Sequence, residues 1–129
     1  MRIPAAILAL ALAVLMFPAI GAAGEPITYS KPAFTDAQNA NKPIVVFVTA
    51  SWCPNCRKQQ PLVDRLAKDQ AFADTLIFVI DFDSDKQALK DLNAQMQSTL
   101  IAFKGKTERM RSTAVTNPEK IRELFQSAL

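Results

Sequence analysis

Histidine is absent from the 129 residues. That removes Ser-His-Asp triads, histidine general bases, haem with a proximal histidine and most zinc sites. Cysteine occurs only twice, too few for a disulfide-rich scaffold or a four-cysteine metal site within one chain. Glycine occurs three times, half of the residues are hydrophobic and 21% are charged, which excludes a disordered or collagen-like chain. Excess charge of one sign is also small. Fifteen Lys and Arg stand against twelve Asp and Glu, a formal charge of +3 spread along the chain. No nucleic-acid footprint is expected from that balance. The length suits one domain.

The first charge after Arg2 is Glu25, and Ile3 to Ala23 between them is an apolar run rich in Ala and Leu. Pro18 breaks it, and Gly21, Ala22, Ala23 and Gly24 follow. A positive start, an apolar stretch and a small-residue end predict a signal peptide over residues 1–23, cleaved after Ala23. A domain over residues 24–129 is then exported, with a periplasmic location. Left uncleaved, the run is close to the length of a membrane-spanning helix and would serve as an anchor. No cysteine follows the run, so a lipoprotein anchor is excluded. Outside the cytoplasm disulfides persist, and cysteine chemistry there concerns making, breaking or correcting them.

In the remainder, residues 25–32 carry Pro26 and Pro32 and read as an extended lead-in. A short helix is expected from Phe34 to Asn41, starting near Thr35 or Asp36 and stopped by Lys42-Pro43. Ile44 to Thr49 is an unbroken, mostly β-branched apolar run, the pattern of a central strand buried on both faces. Ser51-Trp52-Cys53-Pro54 leads into a helix in which Leu62, Val63 and Leu66 form the apolar stripe and Pro61 introduces a kink. A second buried strand is expected at Leu76 to Ile80. A helix follows over Ser84 to Asn93 with Ala88, Leu89 and Leu92 inward. A third strand runs from Thr99 to Lys104, a turn at Gly105-Lys106, and a fourth strand from Glu108 to Ala114. Thr116-Asn117-Pro118-Glu119 starts a last helix. Its inner face is expected at Ile121, Leu124, Phe125 and Leu129. The pattern predicts an α/β fold.

The chemistry sits in Trp52-Cys53-Pro54-Asn55-Cys56. A cysteine at the start of a helix faces unpaired backbone N–H groups and the positive end of the helix dipole. Both favour the thiolate, which is the nucleophile. Cys56 lies one turn on, on the same face, and can attack a mixed disulfide formed at Cys53. A spacing of three is too short for a structural staple, because the entropy gained shrinks with the loop closed. Metal-binding pairs usually come in twos or with histidine, and neither is present. No metal and no cofactor are expected.

These residues resemble the thioredoxin family. Ala50-Ser51-Trp52-Cys53-Pro54-Asn55-Cys56-Arg57, with Pro61 beyond, is similar to the pattern A-x-W-C-x-x-C-[KR]-x-x-x-x-P at every fixed position. Thr99-Leu100-Ile101-Ala102-Phe103-Lys104 is similar to the family's strand T-L-x-x-F-K, and the element order matches over roughly residues 33–128. The resemblance implies a thioredoxin-like fold, a mixed four- or five-stranded sheet with helices on both faces. It implies catalytic roles for Cys53 and Cys56. It places Trp52, Pro54, Asn55, Ser98 and Thr99 where substrate binds, Trp52 as a flat platform beside Cys53. The implied activity is thiol–disulfide exchange on disulfide-bearing protein substrates, with a membrane-bound electron donor and a monomeric enzyme.

Three departures stand out. The family carries a cis-proline before the Thr99 position, and this chain has Ser98. A non-proline cis bond costs about 2.5–4 kcal/mol, so Ser98 is expected in trans and its loop in a different shape. The buried acid that many members carry falls at Phe47, and its basic neighbour at Val79. The Pro54-Asn55 pair resembles the Pro-x pairs of exported reductases of the cytochrome-maturation type, and the reducing direction is expected. The rival readings are a module whose dithiol holds a soft metal, and a disulfide-forming oxidase. Asp81-Phe82-Asp83-Ser84-Asp85 begins like a calcium loop, but Lys86 and Leu92 stand where the loop needs Gly and Glu. A strand end with a helix cap at Ser84 is expected instead. Lys104, Lys106, Arg109 and Arg111 read as solvated edge-strand charges.

Overall fold

The computed structural model describes residues 24–129. The expected signal peptide, residues 1–23, lies outside the described residues. The strands are β1 (Ile27–Thr28), β2 (Pro43–Thr49), β3 (Leu76–Asp81), β4 (Thr99–Lys104) and β5 (Thr107–Thr113). The helices are α1 (Lys31–Asn39), α2 (Pro54–Ala67), α3 (Lys86–Asp91) and α4 (Pro118–Ser127), with a 3-10 turn at Gln70–Phe72. They form a five-stranded sheet in the order β1-β3-β2-β4-β5, parallel on the β3 side of β2 and antiparallel on the β4 side.

The apolar run makes β2 the centre of the sheet. Its side chains alternate between two cores. Val45 and Phe47, with Leu100 and Ala102 of β4, face a core shared with α2 and α4. Ile44, Val46 and Val48 face the other core, with Ile101, Phe103 and residues of α1 and α3. Helices therefore cover both faces, as the resemblance implied.

Several boundaries differ from expectation. The lead-in contains a strand, Ile27–Thr28, hydrogen-bonded parallel to Phe78 and Val79. Helix α1 starts at Lys31, earlier than Phe34, because the Ser30 side chain accepts the Ala33 N–H and Pro32 suits the first turn. Asp85, not Ser84, caps α3 by accepting the Ala88 N–H at 3.1 Å. Leu129 is 53% exposed and does not belong to the inner face of α4, which consists of Ile121, Leu124 and Phe125. Arg111 is not a free edge charge. Its guanidinium donates to the carbonyls of Leu92 and Asn93, both at 2.8 Å, and pairs with Glu108. That ties β5 to the end of α3.

The two-residue turn Gly105-Lys106 joins β4 to β5. Gly105 has φ +56°, and a Cβ there would lie 2.5 Å from the Asn41 side-chain oxygen. That side chain can move aside, but the left-handed backbone and the Gln38 carbonyl, 3.3 Å from where the Cβ would stand, favour glycine where the hairpin tip meets the end of α1. The edges of the sheet are the two-residue β1 and the largely exposed β5, whose pairing with β4 is broken by an irregularity at Ala102/Phe103.

Candidate active site

The sheet register brings the functional segments to one end. β2 pairs with β4 so that Val48 lies opposite Thr99. The loop 50–53, leaving β2, therefore starts beside the segment that enters β4. Cys53 is the capping residue of α2, and Pro54 occupies the first helical turn, where a missing N–H is harmless. Cys53 N–H donates to the Ala50 carbonyl at 3.2 Å. The Cys56 N–H donates to the Cys53 Sγ at 3.1 Å.

Cys53 and Cys56 form a disulfide, with Cα atoms 5.2 Å apart. Each residue is only 2% exposed. On reduction the Cys53 sulfur sits at a helix N-terminus with a backbone N–H already aimed at it. This arrangement favours the thiolate, the form that attacks. The core behind the pair is apolar, with Phe47 fully buried beside it. No carboxylate from the Phe47 position is available to take the Cys56 proton. Among the described residues, no group of three or more His, Cys, Asp or Glu is placed to hold a metal ion.

The structure positions the remaining expected site residues unequally. Trp52 is 51% exposed, so it is not a core residue, and its indole N–H donates to Asp83 Oδ2 at 2.8 Å. Asp83 lies in the acidic stretch that had suggested calcium. There Asp81 instead folds over its own chain, accepting the N–H groups of Asp83 and Ser84. Pro54 is exposed and Asn55 half-buried. Ser98 and Thr99 are each 2% exposed. The Thr99 hydroxyl is used internally, donating to the Met96 carbonyl at 2.8 Å and lying 3.0 Å from the Thr113 hydroxyl.

Among the described residues no peptide bond is cis, as expected for Ser98. Ser98 instead has φ +60°, a left-handed conformation that is costly for a non-glycine residue. Gln59 holds it. This glutamine is fully buried, three residues after Cys56 on the same face of α2. Its amide donates to the Ser98 carbonyl at 3.2 Å and the Val115 carbonyl at 2.8 Å, and its oxygen accepts the Ser98 hydroxyl at 2.9 Å. Gln59 and Asp83 were not anticipated as part of the site. The one available signal for Gln59 was a polar residue falling on the stripe of Cys56, Val63 and Leu66.

The thioredoxin family profile matches residues 25–127. The chain is a member of the thioredoxin family. The crystal structure of Trxlp from Edwardsiella tarda is similar at 35% identity, with a TM-score of 0.76, covering 78% of this chain and 98% of that one. Thioredoxin F from spinach chloroplast, at 23% identity and a TM-score of 0.71, shares the fold. Thioredoxin H4 of Arabidopsis thaliana is 34% identical over 68 residues, which is 53% of this chain and 56% of that protein. The thioredoxin of Mycobacterium tuberculosis is 30% identical over 70 residues, 54% of this chain and 60% of that protein. The chain therefore spans little more than half the length of these curated thioredoxins. The matched span includes the Cys53–Cys56 pair.

Proposed function

We propose that this protein is an exported thiol–disulfide oxidoreductase that reduces disulfides in periplasmic partner proteins. The observation that carries the exchange chemistry is the Cys53–Cys56 disulfide at the N-terminus of α2, with Cys53 as its capping residue. In the reduced state the Cys53 thiolate attacks one sulfur of a partner disulfide and releases the other as a thiolate. The Cys56 thiol, after losing its proton to water or to the partner, attacks the Cys53 sulfur of the mixed disulfide and releases the partner's second thiolate. Two electrons pass to the partner, and the dithiol becomes the disulfide described above. A membrane-bound dithiol donor returns the electrons. The exposed Trp52 and Pro54 form the rim at which the partner meets the buried pair.

Export rests on the N-terminal apolar run. The reducing direction rests on the absence of histidine between the cysteines, which leaves the helix N-terminus and the Cys56 N–H as the groups favouring the Cys53 thiolate. No helix among the described residues is long and apolar enough to cross a membrane. Equilibration of residues 24–129 against glutathione tests the direction. A potential of about −250 mV or lower is expected, and one near −120 mV would reverse the flow to disulfide formation. A Cys56→Ser variant should accumulate mixed disulfides through Cys53. If Cys53 stays reactive yet captures no partner in cells, the exchange reading fails.

A further inference from the structure

Gln59 is the one fully buried polar side chain of α2, and all of its polar capacity is turned toward two distant loops. One is the segment entering β4, through Ser98. The other is the segment leaving β5, through Val115. These two segments are also bonded directly, since the Ala114 N–H donates to the Ser98 carbonyl at 2.9 Å. Both residues of that bond are left-handed, Ser98 at φ +60° and Ala114 at φ +61°. Neither is a glycine or an asparagine, so neither adopts this conformation without cost. The open end of the β4–β5 hairpin is thus a strained pair of turns, and Gln59 bridges it from the helix that carries the cysteines.

The orientation of the Gln59 amide is fixed by its partners. Two carbonyls require its two N–H groups, which leaves its oxygen to accept the Ser98 hydroxyl. The Ser98 carbonyl receives two donors, from Ala114 and Gln59, so both of its lone pairs are used. The Met96 carbonyl is also taken, by Thr99. The loop 94–98 therefore directs these groups inward, and presents the exposed side chains of Gln95 and Met96 outward.

We propose that Gln59 is a positioning residue for thiol–disulfide exchange: it locks the Ser98 and Ala114 turns to α2, so that the loop 94–98 keeps one fixed shape beside the Cys53–Cys56 pair. This rests on the exchange reading above, and assigns the fixed loop to the docking of partner polypeptides. A small disulfide needs only the sulfur. A protein disulfide must also lie against the loop, so a loosened loop penalises it more.

The test uses Gln59→Leu, which keeps the volume and the helix propensity while removing all three hydrogen bonds. Reduction of insulin, as a protein disulfide, is compared with reduction of oxidised glutathione, both with dithiothreitol as electron source. For Gln59→Leu the KM for insulin is expected to rise about tenfold, with a loss at least about threefold smaller for glutathione disulfide. Ser98→Ala removes only the hydroxyl bond, and an intermediate rise is expected. Adding Gln59→Leu to Ser98→Ala should cost less than Gln59→Leu alone, because the two share a bond. A folded Gln59→Leu protein with the parent's KM for insulin overturns the proposal and leaves the exchange reading standing. If Gln59→Leu does not fold, Ser98→Ala decides: the parent's KM again overturns it. A parent protein that reduces neither disulfide overturns the exchange reading itself.

Discussion

Replacing Ala114 with glycine should stabilise the protein, and the gain follows from one dihedral angle. Ala114 has φ +61° and an exposed side chain. Its methyl group therefore contributes little burial, while its left-handed backbone costs about 1–2 kcal/mol relative to the ordinary helical region. Glycine does not bear that cost, but its freer unfolded chain gives back about 0.5–1 kcal/mol. The net expectation for Ala114→Gly is a gain of about 0.7 kcal/mol, with the Ala114 N–H bond to Ser98 kept. For a domain of this size that is a rise in Tm of roughly 3–5 °C. Ala73→Gly is the control. Ala73 is also exposed but has φ −56°. There the same substitution should lose about 0.5–1 kcal/mol, since only the unfolded-state effect remains. Urea titrations of the oxidised proteins with unchanged slopes would read both values. Ala114→Gly losing as much as Ala73→Gly would refute the left-handed assignment and the strained pair built on it.

Thr75 is 1% exposed, and its hydroxyl has no hydrogen-bond partner among the described residues. Thr75→Val keeps the shape and is expected to gain about 1 kcal/mol in the same titrations. Asp83→Ala removes the acceptor of the Trp52 indole. Trp52 is the sole tryptophan, so time-resolved fluorescence anisotropy should show a faster, wider ring motion, with a stability loss of about 0.5 kcal/mol or less. The hydrogen bond from Arg122, and then that from the Ala71 N–H, hold the Asp69 carboxyl below its usual range. A depressed native pKa contributes stability that is complete at neutral pH and disappears as pH falls through the native value. The stability difference between the parent and Asp69→Asn should therefore shrink from about pH 5 downward, as followed by urea titrations across pH.

Local signals were legible where a residue's role depended on its sequence neighbours. The run Ile44 to Thr49 announced the central strand because burial on both faces leaves no polar position. Asn117-Pro118 announced the start of α4 because cap and first turn are contiguous. Cys53 and Cys56 were legible for the same reason. β1 was not, since two residues between prolines carry no periodicity and become a strand only by pairing with β3. Gln59 was hidden because a polar helical residue is ordinarily solvated, and its partners lie 39 and 56 positions away. The left-handed Ser98 carries no glycine signature to betray it. Its conformation is imposed by Gln59 and Ala114, which meet it only after the sheet and α2 have assembled. Arg111 is the exposed edge-strand charge that was expected, but its bonds to the Leu92 and Asn93 carbonyls were hidden on the same account, because those carbonyls lie far along the chain.

The edges of the sheet bear on how the protein tolerates company. β1 offers only two residues to a stranger's backbone. β5 is longer, but it carries Glu108, Arg109 and Arg111 and is interrupted by the irregularity opposite Ala102/Phe103. Short, charged or bulged edges do not template further strands. Under the exchange function proposed above, the chain would meet polypeptides whose own strands are loose while their crosslinks are open. With these edges it would hold such a polypeptide at the sulfur without seeding a shared sheet, and so without becoming the nucleus of an aggregate.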